Sequence, residues 1–190
     1  MSTSAIVVAI VIAVLVVATA IALIIRNQRS KRLRTRFGPE YSRAIEETGS
    51  KTQAEAKLEK LERRVERFDL KPLSPVARAN FVAAWQKIQA RFVDDPKGAL
   101  TEADRLIQEV MAARGYPVSD FDQRAADVSV NHPLIVEHYR AGHEIAVQHS
   151  KGRASTEEMR QAMIHYRTLF AELADEPALT RSKAARAARA

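Results

Sequence analysis

The first apolar segment of the chain runs from Ala5 to Ile25 and contains no charged residue. Its 21 residues comprise fourteen Ile, Val or Leu, six Ala and one Thr. As a helix it would be about 31 Å long, which matches the roughly 30 Å hydrocarbon core of a bilayer. Thr19 is tolerated there because its hydroxyl can donate to a carbonyl one turn earlier. The pattern predicts one membrane-spanning helix over residues 5–25.

Two other interpretations fit this segment less well. A cleaved signal peptide has basic residues ahead of an apolar run of about 7–15 residues, whereas Met1–Ser4 carries no charged side chain. A buried core helix is disfavoured because the segment is apolar on every side.

The charge flanking the apolar segment predicts its direction. No cationic side chain precedes the segment, and six follow it: Arg26, Arg29, Lys31, Arg32, Arg34 and Arg36. Because cations stay on the cytoplasmic side, we expect the amino terminus outside and the rest of the chain in the cytoplasm. The simplest interpretation of this basic cluster is topology, and contact with anionic lipid head groups is a further one.

The remaining chain has helical periodicity and no sustained strand alternation. Start signals recur ahead of the apolar stripes, as a Pro, a cap or a capping box: Pro39, Ser50 with Gln53, Ser74-Pro75, Asp95-Pro96, Ser119, Asn131-His132-Pro133, and Ser155 with Glu158. The sequence therefore predicts an all-α protein, with one transmembrane helix followed by a small multi-helix domain.

Four segments follow from these signals. Residues 1–25 form the anchor, 26–38 a basic juxtamembrane linker, 39–174 the helical domain and 175–190 a basic flexible tail. Within the domain, Ala54 to Phe68 carries a coiled-coil-like seam that is too short to predict an oligomer.

Charge and cysteine content exclude several classes of protein. The chain has 190 residues, a formal charge of +7 and no cysteine, so disulfides and thiolate metal sites are ruled out. The basic cluster supplies six of these charges and the tail supplies two, which leaves the domain at about −1. A nucleic-acid-binding domain concentrates cations on its folded face, so nucleic acid is an unlikely main partner.

The region from Arg114 to His143 is the richest in groups capable of acid–base chemistry. Its catalytic candidates are Asp120, Asp122, Arg124, Asp127, His132, His138 and His143. An enzyme would need one of the Asp carboxylates beside one of the imidazoles in a cleft. The simpler interpretation is structural, with caps and surface ion pairs.

No metal or cofactor site is predicted. His143 and His149 lie six residues apart, about 240° round a helix, and cannot hold one metal ion from one face. The sequence also lacks a glycine-rich phosphate loop and a nucleophile elbow.

Five blocks resemble an uncharacterised family of bacterial proteins that have an N-terminal membrane anchor and no assigned activity. They are residues 36–41 (RFGPEY), 89–96 (QARFVDDP), 114–118 (RGYPV), 121–127 (FDQRAAD) and 160–167 (RQAMIHYR). The resemblance implies a bacterial source and an anchor followed by a helical domain. Together with the cations that follow the apolar segment, the resemblance implies a location in the inner, cytoplasmic membrane, although such proteins are sometimes described as secreted.

The resulting functional hypothesis is a membrane-tethered helical module that binds another protein, or a second copy of itself, at the inner leaflet. The lipid bilayer is its other expected partner. Two alternatives remain open. One is an enzyme with its acid–base site in residues 114–143, and the other is a tether that holds nucleic acid or anionic lipid through the basic linker and tail.

Overall fold

The computed structural model describes residues 3–174, with side chains from Ile12 onward. All regular structure in this part of the chain is helical, which confirms the predicted fold class. The eight helices are α1 (Thr3–Phe37), α2 (Pro39–Thr48), α3 (Lys51–Val65), α4 (Pro75–Arg91), α5 (Pro96–Ala113), α6 (Phe121–Ser129), α7 (Val136–Ser150) and α8 (Thr156–Ala174). The tail, 175–190, lies outside the described residues.

Helix α1 contains a stretch that is long and apolar enough to cross a membrane. Between Ile12 and Phe37 its apolar window has a mean hydropathy of 1.6 and none of it is buried. Thr19 donates its hydroxyl to the Leu15 carbonyl at 2.7 Å, as predicted.

The basic segment predicted as a juxtamembrane linker is helical, because α1 continues without a break to Phe37. Leu33 and Phe37, one turn apart, are both fully buried, and Ser30 is nearly so. Burial of one side of the segment supplies the packing that keeps it helical. Gly38, at φ 51°, then turns the chain into α2, where Pro39 occupies the first turn as predicted.

The chain divides into two compact units, Met1–Glu59 and Lys60–Ala190, whereas one domain over 39–174 was predicted. The boundary lies inside α3, so α2 and most of α3 group with α1. The physical reason is a buried carboxylate, Glu55, which is 4% exposed. It accepts hydrogen bonds from the hydroxyls of Ser30 at 2.6 Å and Tyr41 at 2.8 Å, and so joins the three helices of the first unit.

The electrostatics of Glu55 fit this arrangement. Burial alone would raise the pKa of its carboxyl, but the two hydroxyl donors and the nearby Lys51 and Arg29 bring it below the ordinary value. Burial, together with the bond to Glu55, raises the pKa of Tyr41. Glu55 is therefore charged and Tyr41 neutral at physiological pH.

The second unit is a helical bundle in which α5 packs against α4, α7 and α8. Its core contains Leu100, Ile107 and Met111 of α5, and Trp85 of α4 stacks on Phe170 of α8 with ring centroids 5.1 Å apart. Helices α7 and α8 approach closely at Gly142, where a Cβ atom would lie 2.9 Å from the Tyr166 ring.

Most of the predicted caps are present. Ser74 and Asp95 each accept a backbone N–H at the start of α4 and α5. At α6 the cap is Asp120, one residue after the predicted start at Ser119, and α7 begins after Ile135 without a side-chain cap, three residues beyond His132. At α8, Ser155 and Glu158 form the complete reciprocal box, with bonds of 2.7 and 3.2 Å.

Two sequence expectations in this region are corrected. Ser50 donates its N–H towards Thr48 Oγ1 at 3.5 Å instead of to Gln53. In the seam on α3, Ala54, Leu58 and Val65 are buried, whereas Leu61 is half-buried, and α3 ends before Phe68.

Replacing Ser30 by Ala should destabilise the first unit by about 1.5–3 kcal/mol, because a buried carboxylate loses one of its donors. The measurement is hydrogen exchange of α2 amides in the full chain in detergent micelles. Ser42→Ala is the control, since Ser42 is exposed on α2 and should change stability by less than about 0.5 kcal/mol. Equal exchange in the two variants would contradict the role given to Glu55.

Candidate functional site

Arg114 and Asp127 are the two most deeply buried charged side chains among the described residues, each at 1% exposure, and Arg114 lies at the end of α5. It follows the last residue of α5, and its Nη1 donates to the Leu173 carbonyl at the end of α8. Its Nε and Nη2 atoms are buried without a hydrogen-bond partner among the described residues. Burial lowers the pKa of the guanidinium, although Arg remains protonated at any physiological pH.

His132 lies beside Arg114 and is 3% exposed. Its Nδ1 is 3.0 Å from Glu172 Oε1. Burial, helped by the charge of Arg114, lowers the pKa of this imidazole, so it is neutral at physiological pH despite the nearby Glu172. A neutral ring facing a carboxylate has its proton on Nδ1, which leaves a lone pair on Nε2.

Asp127 and Tyr116 complete this group, which we call the Arg114 cluster: Arg114, Tyr116, Asp127, Asn131, His132 and Glu172. The Asp127 carboxylate is 1% exposed and accepts from Arg64 at 3.1 Å and Gln123 at 2.9 Å. Burial raises the pKa of Asp127 and of Tyr116. Tyr116 Oη is 3.5 Å from the Asn131 amide nitrogen.

A second polar network is centred on Asp104 of α5. Its carboxylate accepts from the Tyr166 hydroxyl at 2.7 Å and the Gln108 amide at 2.8 Å, and lies 3.6 Å from His143 Nδ1. Burial would raise the pKa of Asp104, but the facing His143 and the Tyr166 hydroxyl lower it. Phe121 stacks on the His143 ring with centroids 3.6 Å apart.

The other candidates from the sequence have structural partners. Asp120 caps α6, and Asp122 lies 3.8 Å from Arg140. Arg124 donates to the Tyr139 hydroxyl at 3.1 Å and to the Ser119 carbonyl.

His138 pairs with His165 of α8 across a short contact, with their Nδ1 atoms 2.9 Å apart. One ring must donate and the other accept, so both cannot be protonated in this arrangement. Burial, followed by the charge of His138, lowers the pKa of His165.

The structure therefore does not pair any candidate Asp of residues 114–143 with a candidate His of the same region. His132 faces Glu172, His143 faces Asp104, and His138 faces another histidine. The sequence signal for Asp104 is its place on the stripe of Leu100, Ile107 and Met111, where an ionisable residue at a core position needs a partner. Glu172 and His165 gave no comparable signal.

Neither network has the ligands of a metal site, because no group of three His, Asp or Glu side chains converges within the described residues. A carboxylate–imidazole pair such as Glu172 and His132 can orient a general base. At 3% exposure, however, His132 is closed to a substrate in this conformation. The Arg114 cluster connects the ends of α5 and α8 with the turn after α6, whereas the Asp104 network connects interior positions of α5, α7 and α8.

A small surface groove lies next to these networks on the second unit. It has a volume of about 210 Å³, and Met111, Ala112, Pro117 and Val118 form its apolar part. Val118 is 89% exposed. Polar and charged side chains line the rest, among them Arg105, Glu109 and Arg124.

The cations that follow the apolar stretch of α1 differ in their surroundings, since some contact α3 and others are exposed. Arg29 Nε pairs with Glu59 Oε1 at 2.5 Å, and Arg26 Nη2 donates to the Thr52 hydroxyl at 3.3 Å. Lys31, Arg32 and Arg34 point outward and are exposed.

No protein-family model matches this sequence, no curated protein is similar to it, and no solved structure matches its fold. The resemblance to anchored bacterial proteins therefore stays a prediction.

Acidification should destabilise the second unit. His132 and His165 bind a proton less readily when folded than in the unfolded chain, where the ordinary pKa is 6.5. The contribution of these two histidines to the unfolding free energy is therefore constant above about pH 6.5, falls as the pH drops below that value, and levels off below their folded-state pKa. Thermal unfolding of the full chain in detergent between pH 8 and 5 measures this.

The variant His165→Gln should flatten the pH dependence while it keeps α8 helical. A pH profile as steep as that of the unsubstituted chain would show that His165 does not contribute. An increase in stability on acidification would contradict the prediction altogether.

Proposed function

We propose that the chain is a single-pass membrane protein whose helical domain acts in the cytoplasm as a non-enzymatic protein-binding module. The observation that carries the proposal is the surface of α1, where every side chain from Ile12 to Arg29 is exposed. Soluble proteins rarely leave a continuous apolar surface of this size in water. A bilayer would cover the apolar part and leave the cations that follow it at the head groups.

The direction of insertion follows from the positive charge on one flank. With six cations after the apolar segment and none on the side chains before it, the domain belongs on the cytoplasmic side. A fusion after Ala190 to a reporter that folds only in the cytoplasm should be active. A fusion to one that works only in the periplasm should be silent.

Determining the amino-terminal sequence of the mature chain completes this test. The mature chain should retain residues 5–25 and should resist alkaline extraction from membranes. Release of a chain that begins after Ile25 would identify the segment as a signal sequence and overturn the proposal.

The partner-binding part of the proposal rests on the groove at Val118. A volume near 210 Å³ accommodates one or two side chains, so the groove suits a short segment of another protein bound weakly. Arg105 and Arg124 outnumber Glu109 at its rim, which favours a segment with an apolar anchor beside a carboxylate. The histidines and acids nearby are engaged with one another, which supports binding over catalysis.

A photoreactive amino acid in place of Val118 should crosslink one protein in intact cells. Val93 is the matched control, since it is also an exposed valine, at 83%, and does not line the groove. Arg105→Glu, placed in the Val118 variant, should reduce the yield by about fivefold or more, because it repels an acidic segment. Equal capture from Val118 and Val93, or no effect of Arg105→Glu, would contradict the groove's role.

A further inference from the structure

A cleft in the first unit lies between α1 and the start of α3. Its volume is about 470 Å³, and it is lined by Ala22, Ile25, Arg26, Arg29, Thr52 and Glu55. Its lining combines the last apolar turn of α1 with the first two cations that follow it.

On the polar side of the cleft, Arg26 is a cation that makes no ion pair within the described residues, although the Glu55 carboxylate also lines the cleft. Arg29 pairs with Glu59 at 2.5 Å, and the Glu55 carboxylate is occupied by the hydroxyls of Ser30 and Tyr41. Arg26, by contrast, donates one bond, at 3.3 Å, to the neutral hydroxyl of Thr52. A guanidinium has five N–H donors, so Arg26 retains donors for an anion in the cleft.

The apolar side of the cleft narrows the choice of anion. Ala22 and Ile25 belong to the final turn of the segment proposed to span the bilayer, and Ile25 is its last residue. That position places the cleft at the level of the lipid phosphates, about half a bilayer from the midplane. A free phosphate ion would bind Arg26 but would leave Ala22 and Ile25 without a partner.

We propose that this cleft binds one phospholipid, with its phosphate on Arg26 and the upper part of an acyl chain against Ala22 and Ile25. The lipid would hold α1 and α3 together at the membrane surface. This inference rests on the proposed function, because it requires α1 to span the bilayer.

The test uses the full chain purified in detergent and titrated with phosphatidylglycerol, with bound lipids counted by native mass spectrometry. The unsubstituted chain should retain about one phospholipid, and Arg26→Gln should bind it about fivefold more weakly. Lys31→Gln is the matched control, because it removes the same charge from an exposed position on α1 outside the cleft. It should leave lipid retention unchanged.

A second pair of variants tests the apolar side without changing charge. Ala22→Leu fills part of the cleft and should weaken retention, whereas Ala18→Leu, on the same helix outside the cleft, should not. Inorganic phosphate at the same concentration should fail to displace the lipid.

Three results would overturn the inference: no retained phospholipid, equal losses in Arg26→Gln and Lys31→Gln, or displacement by inorganic phosphate. Alkaline extraction of membranes that hold the unsubstituted chain separates this failure from that of the proposed function. A chain that stays in the membrane but shows one of these results refutes the lipid site alone. A chain that is extracted refutes both.

Discussion

A carboxylate withdrawn from water needs hydrogen-bond donors, and in each unit of this chain such a carboxylate joins several helices. In the first unit the buried Glu55 accepts from the hydroxyls of Ser30 and Tyr41, and in the second the half-buried Asp104 accepts from the Tyr166 hydroxyl and the Gln108 amide. Each charged bond contributes about 1.5–3 kcal/mol, and loss of one donor leaves charge unsatisfied in the interior. Apolar packing brings the helices of each unit together, and these carboxylates add hydrogen bonds between particular helices.

The contact at Glu55 has a mechanical consequence for α1. Because Ser30 is held by α3 through Glu55, and Leu33 and Phe37 are buried on the same side, the basic segment is a packed helix. An apolar stretch and a packed stretch therefore share one uninterrupted helix. Helices α2 and α3 are thus held directly against the helix that carries the apolar stretch, whereas a flexible linker would allow them to move freely.

The sequence predicted those features that depend on neighbours in the chain. The apolar length of α1, the caps at Ser74 and Asp95 and the box at Ser155 act within a few residues, and all of them are present. Pairings between helices were not predictable, because Asp104 meets Tyr166 across 62 residues and His132 meets Glu172 across 40. The packing of the basic segment was not predicted either, although Leu33 and Phe37, four residues apart, carried a helical signal that the surrounding cations obscured.

The Arg114 cluster shows why a concentration of ionisable residues does not by itself indicate catalysis. The last carbonyls of a helix lack partners within it, and at the end of α8 they accept from Arg114 and Arg78. A cation at that end also interacts favourably with the negative pole of the helix dipole. Once Arg114 is buried there, Glu172 and a neutral His132 provide compensating charge and polarity without adding another cation. The cluster is thus accounted for by the termination of one helix inside a core, and the surface groove at Val118 remains the more accessible place for recognition.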